Sequence, residues 1–180
     1  MTDFELSRPV SLSKISPQGL DVTVVATPEE CARVAARMDI PAIQSLECMF
    51  RLVRENDGAS VFARGRLRAY LTRICVVSVE EFEAAVEDEF EVRFVPAGKV
   101  QDDPDPNQTD EIPYETNTID LGEATTEQLG LALDPYPRME GAIMPGVEGP
   151  DLEGANVESI EHRPQFSVLS SRLGSSRTRH

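Results

Sequence analysis

The 180-residue chain has little of the chemistry on which most enzymes depend. It contains only two histidines, His162 and His180, and no tryptophan. It lacks a glycine-rich phosphate loop, a Gly-x-Ser-x-Gly nucleophile elbow and a His-Glu-x-x-His metal motif. Acidic residues are abundant, but no pattern places two of them in one cleft. The sequence therefore predicts a protein without catalytic activity, and we expect neither a cofactor nor a small-molecule substrate.

Cysteine is scarce as well, and its spacing excludes a disulfide framework. The three cysteines, Cys31, Cys48 and Cys75, are odd in number, and no two of them form a Cys-x-x-Cys pair. This pattern is typical of reduced, buried thiols. We therefore expect Cys75 to be a buried residue at a strand end and not a nucleophile, and we expect no bound metal.

The sequence also lacks a long apolar run. A membrane-spanning helix needs about 20 consecutive apolar residues, and no stretch of this sequence approaches that length. The N-terminal residues, from Met1 to Glu5, carry neither the basic region nor the apolar region of a secretory signal. We therefore expect a cytoplasmic protein that makes no membrane contact.

Positive charge is in the minority. The chain carries 32 acidic and 17 basic residues, and its net charge of −15 argues against a simple basic nucleic-acid binder. Residues 101–137 contain ten acidic residues and no basic one, so this region holds two thirds of the net charge. Among the basic residues, fifteen are arginine and two are lysine. Arginine suits bidentate contacts with phosphate or carboxylate groups.

Hydrophobic patterns predict an α+β fold built on an antiparallel β meander. Two short extended segments come first, at 4–12 and 20–26. Apolar and polar residues then alternate over three long segments that we expect to pair as antiparallel neighbours: 42–54, 60–77 and 82–95. We expect the meander to curl toward a partial barrel, with Asn56-Asp57-Gly58 as its first hairpin turn.

Capping signals predict two helices that cover this sheet. In a capping box, the N-cap side chain and the acidic residue three positions later satisfy each other's backbone N–H groups. Two such boxes occur: Thr27 with Glu30 before a helix over 28–38, and Asp120 with Glu123 before a helix over 120–133. Proline residues follow the second helix and are expected to end it.

Composition predicts how the rest of the chain is organised. We expect a single domain over 1–137, interrupted by a flexible acidic loop at 97–116 that contains several prolines. Residues 138–163 predict a flexible linker, because they are rich in glycine and proline and show no periodicity. Residues 164–174 predict a short docking motif with three apolar residues at helical spacing: Phe166, Leu169 and Leu173.

One predicted strand carries a stripe of arginines. Arg64, Arg66 and Arg68 alternate with apolar residues, so they share one sheet face with Tyr70. Two interpretations stay open. In the first, these residues and Arg73 contact RNA by clamping phosphates and stacking on bases. In the second, the arginines pair with glutamates of the next strand: Glu83, Glu87, Glu89 and Glu91.

Three stretches of the sequence carry a family resemblance. They are 71–82, 119–137 and 164–169. In this order and spacing they resemble the YceD family of large ribosomal RNA subunit accumulation proteins. The resemblance assigns family-motif positions within the first two stretches: Cys75, Asp120, Glu127, Pro135 and Pro137.

The chain departs from the family pattern at the first stretch. Many members carry a Cys-x-x-Cys pair there, whereas this chain has Cys75 followed by Ser78, and no cysteine comes later. A four-ligand zinc site cannot be assembled from this remnant.

The resemblance implies a non-catalytic ribosome-biogenesis factor that supports the accumulation or processing of large-subunit (23S) ribosomal RNA. It does not supply a mechanism, and two partners stay open. One is the ribosomal RNA precursor, contacted by the arginines. The other is a basic ribosomal protein or assembly factor, attracted by the acidic region 101–137 and anchored by 164–174. Outside this role, the alternatives are an acidic protein–protein adaptor unrelated to RNA and a small enzyme with an unrecognised site.

Overall fold

The computed structural model describes residues 4–16, 18–99 and 109–142. Its regular elements are β1 (Pro9–Ser11), β2 (Leu20–Val25), α1 (Pro28–Arg37), β3 (Ala42–Arg54), β4 (Val61–Ile74), β5 (Glu81–Pro96), β6 (Asp110–Tyr114), β7 (Thr118–Asp120) and α2 (Leu121–Ala132). Strands β2 to β6 form one sheet in that order, and β1 pairs with β7 in a second. The predicted α+β meander is confirmed. Within the described ranges the larger sheet is open, with β2 and β6 at its edges.

The alternation of residues along β3, β4 and β5 creates a buried inner face and an exposed outer face. Gly65 on the inner face of β4 lies opposite Phe90 of β5. A Cβ atom at Gly65 would lie 2.1 Å from Cζ of Phe90, so only glycine leaves room for the ring. The same ring packs edge-on against Phe50 of β3, with 5.7 Å between ring centroids.

The turn between β3 and β4 confirms the predicted hairpin. The Glu55 N–H donates to the Ser60 carbonyl at 2.9 Å. The Asp57 carboxylate accepts from the backbone N–H groups of Ala59 and Ser60. Gly58 has a φ of 68°, which glycine adopts without strain. The first two strands of the meander are therefore joined by a well-defined tight turn.

Helix α2 packs on the inner face of the sheet and is buried on most sides. Leu121, Ala124 and Leu129 belong to the core. The hydroxyl groups of Thr125 and Thr126 are buried and donate to the carbonyls four residues earlier. The helix can bury these polar groups because the hydrogen bonds satisfy them.

The capping prediction is confirmed for α1 and half wrong for α2. At α1, the Thr27 hydroxyl accepts from the Glu30 N–H, and the Glu30 carboxylate accepts from the Thr27 N–H. At α2, the Asp120 carboxylate caps the first turn as predicted. The Glu123 side chain, however, forms an ion pair with Arg37 of α1 at 2.8 Å and does not complete a box.

The structure also corrects two predicted boundaries. The region 97–116 is not a loop throughout, because Asp110–Tyr114 forms β6, which pairs in parallel with β5. Tyr114 packs against the core, and its hydroxyl donates to the Ala59 carbonyl at 2.6 Å. The third meander segment is also preceded by a longer turn than expected, since β4 ends at Ile74 and not at residue 77.

The remaining predictions for the C-terminal region lie outside the described residues. The chain divides into two units, Met1–Val147 and Glu148–His180, and the structure describes nothing after residue 142. The linker prediction beyond 142 and the docking motif with Phe166, Leu169 and Leu173 therefore stay predictions. In the described parts of the chain, no helix combines the length and apolarity that a membrane span requires.

Candidate functional site

The arginine stripe (Arg64, Arg66 and Arg68) lies on the outer face of β4, as predicted. The register of β4 and β5 places each of these arginines directly opposite a glutamate. Three salt bridges result: Arg64 to Glu91 at 2.5 Å, Arg66 to Glu89 at 2.6 Å and Arg68 to Glu87 at 3.5 Å. Of the two interpretations of the stripe, the structure shows the cross-strand pairing.

The outer face as a whole carries an excess of negative charge. On β3, Arg51 lies opposite Arg64, but its guanidinium is bound to Asp21 of β2 at 2.7 Å. Four exposed arginines of β2 to β5 stand against seven exposed acidic residues: Asp21, Glu47, Glu81, Glu83, Glu87, Glu89 and Glu91. Exposed pairs of this kind add only about 0–1 kcal/mol each to stability. Their main effect here is to cancel the positive potential of the stripe.

The other two predicted RNA contacts are separated by the fold. Tyr70 continues the outer face beyond Arg68, opposite Ser45 and Ala85, and the residue is 61% exposed. Arg73 lies at an odd position of β4 and is directed away from the stripe. Its guanidinium donates to the Asp134 carbonyl at 2.6 Å. Arg73 therefore binds the segment after α2 and does not extend the stripe.

Two of the family-resembling stretches meet at the turn between β4 and β5. The Val76 N–H donates to the Pro137 carbonyl at 2.9 Å. The Cys75 thiol is buried and accepts from the backbone N–H groups of Ser78 and Met139, both at 3.4 Å. The Ser78 side chain and these N–H groups lower the pKa of Cys75 to about 7. Cys75 thus joins the turn to the segment that follows α2.

Asp120 connects the N-terminal segment to α2. Its carboxylate accepts from the backbone N–H groups of Gly122 and Glu123 at the start of the helix. It also accepts from the Ser7 hydroxyl and the Arg8 N–H. Of the other family-motif positions, Glu127 and Pro135 are exposed. Partial burial and the nearby Glu123 carboxylate raise the pKa of Glu127.

The described residues contain no grouping that resembles a metal centre. Among 4–16, 18–99 and 109–142, no three His, Cys, Asp or Glu side chains are placed to hold an ion. The other two cysteines lie in the core, and burial raises the pKa of Cys31 and raises that of Cys48 to about 12.

Sequence reasoning missed two parts of this arrangement. It did not predict the network in which Arg8 binds Glu30 of α1, because partners 22 positions apart follow no local pattern. It also did not single out Val79, which lies in the β4–β5 turn with a φ of 62° and is 77% exposed. Valine in the sequence gives no sign of either property.

The fold defines a small α+β protein in which parts of two of the resembling stretches meet at the β4–β5 turn of a meander sheet. A sequence model described as "Large ribosomal RNA subunit accumulation protein YceD" matches residues 63–171, more than half of the chain. The chain therefore belongs to the YceD family, and the resemblance noted from the sequence is confirmed. No curated protein and no solved structure matches the chain.

Proposed function

We propose that this protein supports the accumulation of large-subunit (23S) ribosomal RNA as a non-catalytic factor that binds a basic ribosomal protein or assembly factor. The family match supports the ribosomal role. The observation that carries the choice of partner is the pairing of every arginine of the stripe with a glutamate of β5.

Direct RNA contact through the stripe would be opposed by this arrangement. A phosphate that approaches Arg66 would meet the Glu89 carboxylate on its guanidinium and the neighbouring glutamates of β5. RNA affinity comes largely from cationic side chains that neutralise phosphates, and on this face the carboxylates outnumber the guanidinium groups. A basic protein surface would instead be attracted by these carboxylates, since complementary charge speeds association and favours the correct partner.

The acidic region that follows β5 fits the same proposal. Some of its described carboxylates are engaged within the fold: Glu111 pairs with Arg93, Glu123 pairs with Arg37, and Asp120 caps α2. Others lie on the surface, among them Asp110, Glu115 and Asp134. The surface therefore keeps an acidic excess after the internal pairs have formed.

Two matched variants of the full chain test the choice of partner. One carries Arg64→Gln, Arg66→Gln and Arg68→Gln, and the other carries Glu87→Gln, Glu89→Gln and Glu91→Gln. The probes are 23S ribosomal RNA transcripts and the protein fraction that lithium chloride releases from large ribosomal subunits. We expect the wild type to retain large-subunit protein and the glutamate variant to associate more slowly, by about threefold or more at low salt.

The arginine variant provides the control, because it has the same number of changes and should keep protein binding. RNA binding by the wild type that is lost in the arginine variant would contradict the proposal and favour RNA contact. Failure of the wild type to retain any large-subunit protein would contradict it as well.

A further inference from the structure

Exposed apolar side chains are concentrated beside the β4–β5 turn. Eight large hydrophobic side chains are exposed in the described ranges, and four of them, Val25, Met49, Tyr70 and Ile74, lie on the outer face of the sheet. The other four we call the turn-end patch: Val76, Val79, Leu131 and Tyr136. Two hydrogen bonds, from Val76 to Pro137 and from Arg73 to Asp134, hold the β4–β5 turn beside the segment that follows α2.

The most exposed member of the patch is held in a strained backbone conformation. Val79 has a φ of 62°, a region that β-branched residues rarely adopt. Its N–H donates to the Cys75 carbonyl, and the Cys75 N–H donates to the Glu80 carbonyl, so the turn fixes this conformation. Such strain tends to occur at sites that serve a function. Here it holds an apolar side chain in solvent, where folding gains nothing from it.

The surroundings of the patch are acidic. Residues 71–82 and 129–142 contain four exposed acidic residues and one exposed basic residue, Arg138. The acidic residues are Glu80, Glu81, Asp134 and Glu140. An apolar patch rimmed by charged residues is typical of a protein interaction site, and this rim complements lysine and arginine.

A groove next to the patch offers space for a side chain of the partner. Its volume is about 320 Å³, and its walls are partly apolar, from Phe82, Val86, Ala132 and Pro137, and partly charged, from Arg73, Glu87, Asp134 and Arg138. These apolar walls come from β5 and from the end of α2 and the segment after it. The groove therefore shares the end of α2 and the segment after it with the turn-end patch.

We propose that the turn-end patch is the docking site for an apolar segment of a basic protein, with the partner's lysines or arginines against the acidic rim. This inference rests on the proposed function and names the surface that performs it. An RNA strand fits the patch poorly, because its aliphatic side chains offer phosphates no donor and the four carboxylates of the rim outnumber the one exposed cation, Arg138.

Variants of the full chain test the docking site against matched positions. Val79→Lys and Leu131→Lys place a cation inside the acidic rim, and Tyr136→Ser removes apolar area. Val25→Ser and Met49→Ser make comparable changes on the outer face. Using the lithium chloride fraction of large ribosomal subunits as the probe, we expect the patch variants to lose at least about tenfold in bound protein. The outer-face variants should stay within about twofold of the wild type.

A photocrosslinking residue at position 79, with position 23 on β2 as the control, identifies the neighbour of the patch in large-subunit particles. We expect position 79 to crosslink to a basic protein and position 23 to give no such product. Crosslinks from position 79 to RNA, to residues 143–180 of this chain or to a second copy would overturn the inference. Equal binding by the patch variants and the wild type would also overturn it, although the proposed function would stand. The proposed function itself fails if the wild type binds no large-subunit protein.

Discussion

At the scale of single residues, the family-motif positions have different surroundings. Asp120 accepts four hydrogen bonds that tie the N-terminal segment to α2. Cys75 ties the β4–β5 turn to the segment after α2. Glu127 and Pro135, by contrast, are exposed. The geometry gives Asp120 and Cys75 a structural part.

The Arg8–Glu30 pair gives the first prediction. The hydrogen bonds from Arg8 to the Glu30 carboxylate lower the pKa of Glu30 most, and those from Thr27 lower it further. Together they hold this pKa at about 2 in the folded protein, below its ordinary value of 4.5. The stabilisation is therefore fully present above about pH 4.5 and is lost as the pH falls toward 2. We expect Glu30→Gln to lower the free energy of unfolding at pH 7 by about 1–3 kcal/mol and to have little effect near pH 2.

Urea unfolding at pH 7, 4 and 2.5 measures this difference. Glu29→Gln serves as the control, because Glu29 is an exposed neighbour in the same first turn of α1. If both variants lose the same stability at every pH, the Arg8–Glu30 pair does not act as described.

At the scale of elements, the β4–β5 connection is the part of the structure that departs most from ordinary turn chemistry. Its backbone conformation is one that glycine or asparagine would adopt more readily, yet position 79 is valine. The backbone strain at Val79 is offset by the hydrogen bond from its N–H to the Cys75 carbonyl and by the one from Val76 to Pro137. This combination suits a segment whose side chains serve a partner more than they serve the core.

The strain at Val79 gives a prediction about stability. We expect Val79→Gly to raise the free energy of unfolding by about 1 kcal/mol, because glycine relieves the strain and the lost side chain was solvent-exposed. Chemical denaturation measures this gain, with Val76→Gly as a control in ordinary backbone conformation that should destabilise. A Val79→Gly variant that is less stable than the wild type would show that the turn stores no strain.

At the scale of the whole molecule, charge acts against compactness. The chain carries a net charge of −15, and repulsion among like charges weakens the folded state. The exposed ion pairs of the outer face compensate little of this, since each is worth about 0–1 kcal/mol. Added salt screens both kinds of interaction, and we expect it to weaken the repulsion among like charges more than the attraction within the ion pairs.

Ionic strength tests this balance. We expect Tm to rise by a few degrees between about 10 and 200 mM NaCl, a range over which screening shortens the reach of surface charges to about 10 Å or less. Differential scanning calorimetry measures the shift, and choline chloride replaces NaCl to separate screening from sodium binding. A fall in Tm over this range would mean that the ion pairs outweigh the repulsion.

The sequence predicted those features that depend on local patterns. Alternation located β3, β4 and β5, and the Thr27–Glu30 pair located α1, because both signals act over a few residues. Strand β6 was missed because Pro113 and its acidic neighbours resemble a loop, and its pairing with β5 depends on distant residues. The turn-end patch was missed for the same reason, since only the fold brings Val76 beside Pro137.

The close contact between Gly65 and Phe90 determines how the central strands align during folding. The ion pairs of the outer face cannot do this, because sliding β4 by two residues along β5 in either direction would still match two of the three arginines with glutamates. The same slide would bring Ala63 or Leu67 opposite Phe90, where a side chain would occupy the space of the ring. The absence of a Cβ at Gly65 thus favours the observed register of β4 and β5 over the shifted registers that the ion pairs would also allow.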